Sequence, residues 1–339
     1  MRLCLMAFWI FSLPLLAQGP TKNETHLLEG RAQGSTWRVL YHGPKQVDLQ
    51  AALEKELAAF DKIFSNYRPD SDISRFNQQT GTNWFPVDAD LVKLVELSRT
   101  VSEKSRGAFD ITVGPLLRVW GFGPFRRKEP SIPSDSEIKA ALKDVDYKKL
   151  LSRRQPPALK KTRPNLLVDL SGVAQGYSVD RIAAFLDQRG LAGYMVEIGG
   201  EIKTKGRKAD GTSWTLGIDA PDNTGAVAAV LHLEGRALTT AGDYREYFEK
   251  DGKRYSHTID PRNGRSVQHK LASVTVIAPT VWEADAWDTA FMVLGPEETR
   301  RLVPQLKTLS VYMILHEGQT FRTESLGGFD KNLSPDSRR

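Results

Sequence analysis

The sequence predicts an α+β fold. Amphipathic helical segments and short strand-like runs are interspersed, without the regular alternation that a doubly wound parallel sheet requires. The composition agrees: 40% hydrophobic and 26% charged residues over 339 positions exclude collagen-like, coiled-coil and largely disordered chains. No internal repeat is visible, so a single large mixed domain is expected over residues 22–329. Lys and Arg exceed Asp and Glu, 47 against 41, for a net charge of +6. The basic residues are spread along the chain, which argues for no nucleic-acid partner and is compatible with an anionic small molecule.

The elements follow in chain order. Met1-Arg2, the uncharged apolar run Leu3–Leu16 and the small residue Ala17 read as a secretory signal over residues 1–17. The run is shorter than the roughly 20 residues of a membrane-spanning helix. Export to the periplasm is therefore expected, with an uncleaved membrane anchor as the alternative. Cys4 is the only cysteine and stands too early for a lipoprotein cleavage site. Once the segment is removed, disulfides, thiolate metal sites and a cysteine nucleophile are excluded.

Leu49, Leu53, Leu57, Phe60 and Phe64 predict an amphipathic helix over 48–64. Leu91, Leu94, Val95 and Val101 predict a second, closed by Gly107 in the C′ role. Ser134 and Glu137 form a capping-box pattern ahead of Ile138, Ala141 and Leu142. Strands are expected at 166–170, 194–198, 214–218, 227–233, 273–278 and 311–315. The Pro- and Arg-rich stretch 152–164 reads as a loop, and 330–339 as a frayed polar tail.

Four segments could carry chemistry. In TVWEADAWDTAFMVLGP, Thr280 and Glu283 make a capping-box pattern and Gly295-Pro296 ends the helix. Asp285, Asp288 and Thr289 then share one helix face at i, i+3 and i+4. Two carboxylates and a hydroxyl offer only oxygen ligands, which suits a hard cation such as Mg2+. Spacing alone leaves an exposed acidic face open as the commoner origin of such a triple.

In LLVDLSGVAQGYSVDRIAAFL a strand, a glycine turn and a helix start follow one another, a junction that can present backbone N–H groups to an anion. An ordinary tight turn would read the same. In the stretch from Thr239 to Val267, Asp251-Gly252 signals a hairpin pairing the strands of Tyr247 and Tyr255. His257 follows, close in sequence to Asp243, Tyr244 and Asp260; a structural histidine is the default. Finally, Phe109, Trp120 and Phe122 could line a planar-ring pocket or simply pack in the core.

These segments, in this order from FSNYRPDSDISRFN (Phe64–Asn77) to Gly295, resemble the ApbE family of FAD:protein FMN transferases. The resemblance implies a T-fold-like domain and Mg2+-dependent splitting of FAD. It also implies attachment of the FMN half through a phosphoester to a Thr or Ser of a target protein, a membrane-associated redox subunit, with release of AMP. It makes Asp285, Asp288, Thr289 and Gly172 metal-site positions, and Asp285 catalytic. Tyr67, Ala108, Phe109, Asp110, Asp169, Gln175 and Ile259 become FAD contacts. His257, of an HxxDPxxG motif, becomes the candidate base, facing the ligand with Ile259 if both lie on one strand.

The chain departs from the family where members commonly have Lys in place of Gln175. It also has Glu197 before Ile198-Gly199-Gly200, and Gln33-Gly34-Ser35 in place of Met-Gly-Thr. An FAD pyrophosphatase and a non-catalytic exported FAD-binding protein are the alternative functions.

Overall fold

Strand Leu271–Ala278 is buried along its whole length, which places it at the centre of the molecule. Its alternate side chains serve two cores, as a period of two dictates. Val274, Val276 and Ala278 join one cluster, and Ile277 joins another on the opposite face.

The computed structural model describes residues 24–129, 131–222, 224–243, 247–250 and 252–338. The first half contains β1 (Thr25–Ala32), β2 (Ser35–His42), α1 (Leu49–Phe64), α2 (Asp72–Gln78), β3 (Phe85–Pro86), α3 (Ala89–Lys104), α4 (Gly114–Trp120) and α5 (Asp135–Leu142). Next come β4 (Leu150–Arg154), β5 (Pro157–Lys161), α6 (Ala174–Gln188), β6 (Tyr194–Ile198), β7 (Glu201–Lys205), β8 (Trp214–Asp219) and β9 (Val227–Leu233). The chain closes with β10 (Ala237–Gly242), β11 (Tyr247–Lys250), β12 (Lys253–Ser256), β13 (Leu271–Ala278), α7 (Val281–Leu302), β14 (Ser310–Glu317) and β15 (Thr320–Leu326).

Eight strands form one sheet in the order β1-β2-β6-β7-β10-β13-β14-β15. Every neighbouring pair in it is antiparallel. Helices α1, α6 and α7 cover one face, where Leu49, Leu53, Val179 and Ile182 meet Trp37, Val39, Val196 and Ile198. The β8–β9 ribbon covers the other, through Leu216, Ile218, Leu231 and Leu233. The result is the expected mixed α+β domain. Among the described residues, no helix is long and apolar enough to cross a membrane. The signal segment 1–17, with Cys4, lies outside the described residues.

The structure corrects several expectations. Helix α3 ends in a Schellman turn, but its left-handed C′ residue is Arg106 (φ 55), and Gly107 (φ 80) follows one position later. Gly107 N–H reaches back to the Ser102 carbonyl and Arg106 N–H to that of Glu103, the bonding pattern such a turn requires. The stretch 152–164 is largely a hairpin: β4 and β5 pair across the cis Gln155-Pro156 bond. Residues 166–170 form no strand beyond one bridge from Leu167 to Val113, because asparagine side chains take their backbone groups. The tail is docked: Leu333 is buried, and His232 and Val230 exchange backbone hydrogen bonds with Asn332 and Ser334.

Candidate active site

Helix α7 begins against α6. The Asp180 carboxylate accepts the N–H groups of Val281 (2.8 Å) and Trp282 (2.9 Å), placing negative charge at the positive end of the helix dipole. The expected Thr280–Glu283 capping box is not formed, since the Thr280 side chain makes no cap bond. Asp180, from a neighbouring helix, takes that role with a stronger acceptor. At Gly295 (φ 76) the helix breaks as expected, and Pro296 opens a further stretch to Leu302.

Asp285 and Asp288 point inward, at 5% and 3% exposure, which excludes a solvated acidic face. Asp285 Oδ2 accepts the Gly176 N–H at 2.9 Å. The Thr289 hydroxyl lies 3.4 Å from Asp288 Oδ1. Burial pushes the Asp285 carboxyl well above the usual carboxylate range, and the neighbouring Asp288 charge adds to this. Burial does the same to Asp288, helped by Glu201 and opposed by the Thr239 and Thr289 hydroxyls.

Two glycines permit this packing. A Cβ on Gly172 would meet Thr289 Oγ1 at 2.8 Å, and one on Gly176 would meet the Val281 carbonyl at 2.7 Å and Asp285 Cβ at 2.8 Å. The glycine turn is therefore a close-approach device. Its anion-binding donors are fewer than expected, because the N–H groups of Ser171, Val173, Ala174 and Gly176 are all bonded within the protein.

The carboxylates open into a cavity of about 270 Å3, at the lower end of small-molecule sites. Ala108, Phe109, Asp110, Asp169, Gly172, His257, Ile259, Asp285, Asp288 and Thr289 all line it. Ten of the twelve site residues expected from sequence thus meet at one place. The other two, Tyr67 and Gln175, line a second cavity, which meets the first at Ser171.

Individual placements refine the expectations. The Asp110 carboxyl is taken up within the protein: it accepts from Thr112 N–H, Thr112 Oγ1 and Tyr147 N–H. Asp169 differs, with Oδ1 bonded to Ser171 N–H and a buried Oδ2 that has no partner among the described residues. Strand β12 ends at Ser256, so His257 and Ile259 are not on one strand, although both line the cavity. Asp260 turns aside to bind Arg262 and Asn263. Asp243 faces His316 at 3.6 Å, and Tyr244 lies outside the described residues. Trp120 and Phe122 pack in the core with Leu116 and Ile138, leaving Phe109 as the aromatic of the cavity.

Sequence reading missed Glu201, Thr240 and Met292, which also line the cavity. Glu201 directly follows the Gly199-Gly200 pair, a signal that was legible; Met292 lies one turn past Asp288 and could have been found by helical spacing.

Among the described residues no group of three or more His, Cys, Asp or Glu side chains is placed to hold a metal. A cation here would bind two carboxylates, completed by the Thr289 hydroxyl and the Gly172 carbonyl. This all-oxygen set fits a hard divalent ion. Among the described residues, neither Lys nor Arg lines the cavity to balance the two acids.

Residues 33–313 match the sequence model of the ApbE family. The chain is 40% identical over 317 residues to the FAD:protein FMN transferase of Escherichia coli (strain K12), covering 90% of each. It is 38% identical over 314 residues to that of Haemophilus influenzae, again with 90% of each covered. Among solved structures it is similar to the Pseudomonas stutzeri flavinyl transferase ApbE in its apo form, with a TM-score of 0.84 and 38% identity over 92% of this chain and 98% of that one. It is similar as well to the flavin transferase ApbE from Vibrio cholerae, with a TM-score of 0.83 and 34% identity over 92% and 100%.

Proposed function

The chain belongs to the ApbE family, and from that membership we propose that it transfers the FMN half of FAD to a Ser or Thr hydroxyl of a target protein. The observation that carries the proposal is the single cavity in which the buried pair Asp285 and Asp288, Thr289, Gly172 and His257 converge. Relatives named for this transfer, covered over nine-tenths of their length, support it.

His257 accepts the proton of the attacking hydroxyl. The hydroxyl oxygen forms a bond to the FMN phosphorus as the bond from that phosphorus to the bridging pyrophosphate oxygen breaks, and AMP leaves with the electron pair. General base help of this kind contributes about 10²–10⁴-fold. Asp285, Asp288, Thr289 and the Gly172 carbonyl would hold Mg2+, whose charge would screen the pyrophosphate and stabilise the leaving phosphate. Asp169 offers its unpartnered Oδ2 to a donor of the ligand, and Phe109 and Ile259 supply apolar walls. An elongated ligand that passes Ser171 also reaches Tyr67 and Gln175. Alignment of attacking and leaving oxygens supplies the remainder.

The signal-like residues 1–17 support export, and the same proposal places the target among membrane-associated redox subunits outside the cytoplasm. Incubation with FAD, Mg2+ and a membrane fraction of the source cell, followed by a denaturing gel, tests this directly. A flavin-fluorescent protein band is expected. Stoichiometric free FMN and AMP with no labelled band would instead make the protein a pyrophosphatase.

A further inference from the structure

Residues 166–170 carry Asp169 and lead into Ser171 and Gly172, yet among the described residues no strand pairs with them beyond the Leu167 bridge. Buried backbone groups must still find partners. Two asparagines supply them. Asn77 accepts the Val168 N–H through Oδ1 (2.8 Å) and donates Nδ2 to the Val168 carbonyl (2.7 Å). Asn66 accepts the Leu170 N–H (2.9 Å) and donates to the same Val168 carbonyl (2.8 Å).

A carboxamide presents the donor and acceptor of a peptide unit, so each side chain replaces one unit of a missing strand. Between these contacts, Asp169 N–H is held by the Ile111 carbonyl at 2.7 Å. Behind Asn77, the wholly buried Lys161 donates to the carbonyls of Asn77 (3.2 Å) and Leu166 (3.4 Å), tying helix α2 to the start of the segment.

We propose that Asn66 and Asn77 are positioning residues for the transfer reaction, fixing how far Asp169 and Gly172 reach into the cavity. The inference rests on the function proposed above. Among the described residues the Asp169 carboxyl is held by Ser171 within the same stretch, so the local backbone sets its place. The Leu170 carbonyl also receives the N–H groups of Val173 (3.0 Å) and Ala174 (2.8 Å), which passes the clamp on to the start of α6. From there Gly176 reaches Asp285.

Asn77→Leu removes both contacts at similar volume. Asn77→Asp keeps an acceptor for Val168 N–H and, with its carboxyl protonated against the Val168 carbonyl, an O–H donor in place of Nδ2. For folded Asn77→Leu protein, kcat for AMP release should fall about 10²-fold, the scale of a 1 Å misplacement, with KM for FAD within ~3-fold. Asn77→Asp should recover at least ~10-fold of that loss. Amide exchange on protein without FAD or Mg2+ gives a second readout: Val168 and Leu170 should exchange at least ~10-fold faster in Asn77→Leu, with strand 194–198 unchanged.

If Asn77→Leu does not fold, Asn66→Ala is read by the same two measurements. Wild-type kcat per folded molecule, or unchanged exchange at both amides, overturns the positioning role. A wild-type protein that releases no AMP defeats the functional proposal instead, and the exchange measurement still decides whether the clamp exists.

Discussion

Three donors converge on the Asp110 carboxyl, and burial nevertheless pushes its pKa up to about 6 from a usual value of 3.8. Below about pH 4 the group is protonated in both folded and unfolded chains. Between about pH 4 and 6 the folded state holds a proton that the unfolded state has released, so its contribution to stability falls as pH rises. The loss is complete above that window and amounts to roughly 3 kcal/mol. Urea titrations of wild type and Asp110→Asn at pH 4 and pH 7 should therefore show wild type losing stability relative to the variant. Parallel pH profiles would contradict this origin of the shift. His257 makes a different prediction. His257→Asn should bind FAD nearly as wild type and transfer FMN at least ~10²-fold more slowly, the lower end for a general base. A loss of FAD affinity in proportion to rate would assign the residue to binding alone.

The junction of α6 and α7 concentrates most of what the elements do for the site. Gly176 lies where a methyl group would strike the Val281 carbonyl and Asp285 Cβ, neither the far end of a flexible side chain. Gly176→Ala should cost about 1–3 kcal/mol in chemical denaturation, the usual scale of overpacking. It should also blunt any Mg2+-induced rise in melting temperature, because Asp285 must move. A variant as stable and as Mg2+-responsive as wild type would show that the helices have slack there.

The same junction shows what was legible at this scale. The spacing of Asp285, Asp288 and Thr289 put them on one face, but whether that face looked outward depended on which helix packed against it. The capping partner Asp180 lies about a hundred residues away, so the local Thr280–Glu283 pattern could not reveal it. Residues 166–170 had a strand's composition, yet their hydrogen bonds come from side chains about ninety to a hundred residues earlier. Pattern reading sees residue type; it does not see which distant group completes a backbone.

At the scale of the molecule, α+β character followed from interspersed periodicities. The central strand at 273–278 and its neighbour at 311–315 were found because both are apolar on consecutive positions. Of the same sheet, β1, β2, β7, β10 and β15 were missed; β1, β7 and β15 carry charged side chains and are exposed or half-buried along most of their length. The tail after Phe329 looked polar, although Leu333 anchors it over β9 through the Leu231 bridge. Sequence order hid the site's main geometric fact, that residues from 108 to 293 line one cavity.

The central claim is that this cavity splits FAD by means of Asp285 and Asp288. It is tested most directly by AMP release from FAD across a Mg2+ titration, comparing wild type with Asp285→Ala. Wild type should release AMP only with Mg2+ present and stop in excess chelator, and the variant should fall by at least ~10²-fold, the loss of about 2.7 kcal/mol of transition-state stabilisation. Release of AMP by Asp285→Ala at the wild-type rate and the wild-type Mg2+ dependence would place the metal, and the chemistry, somewhere else.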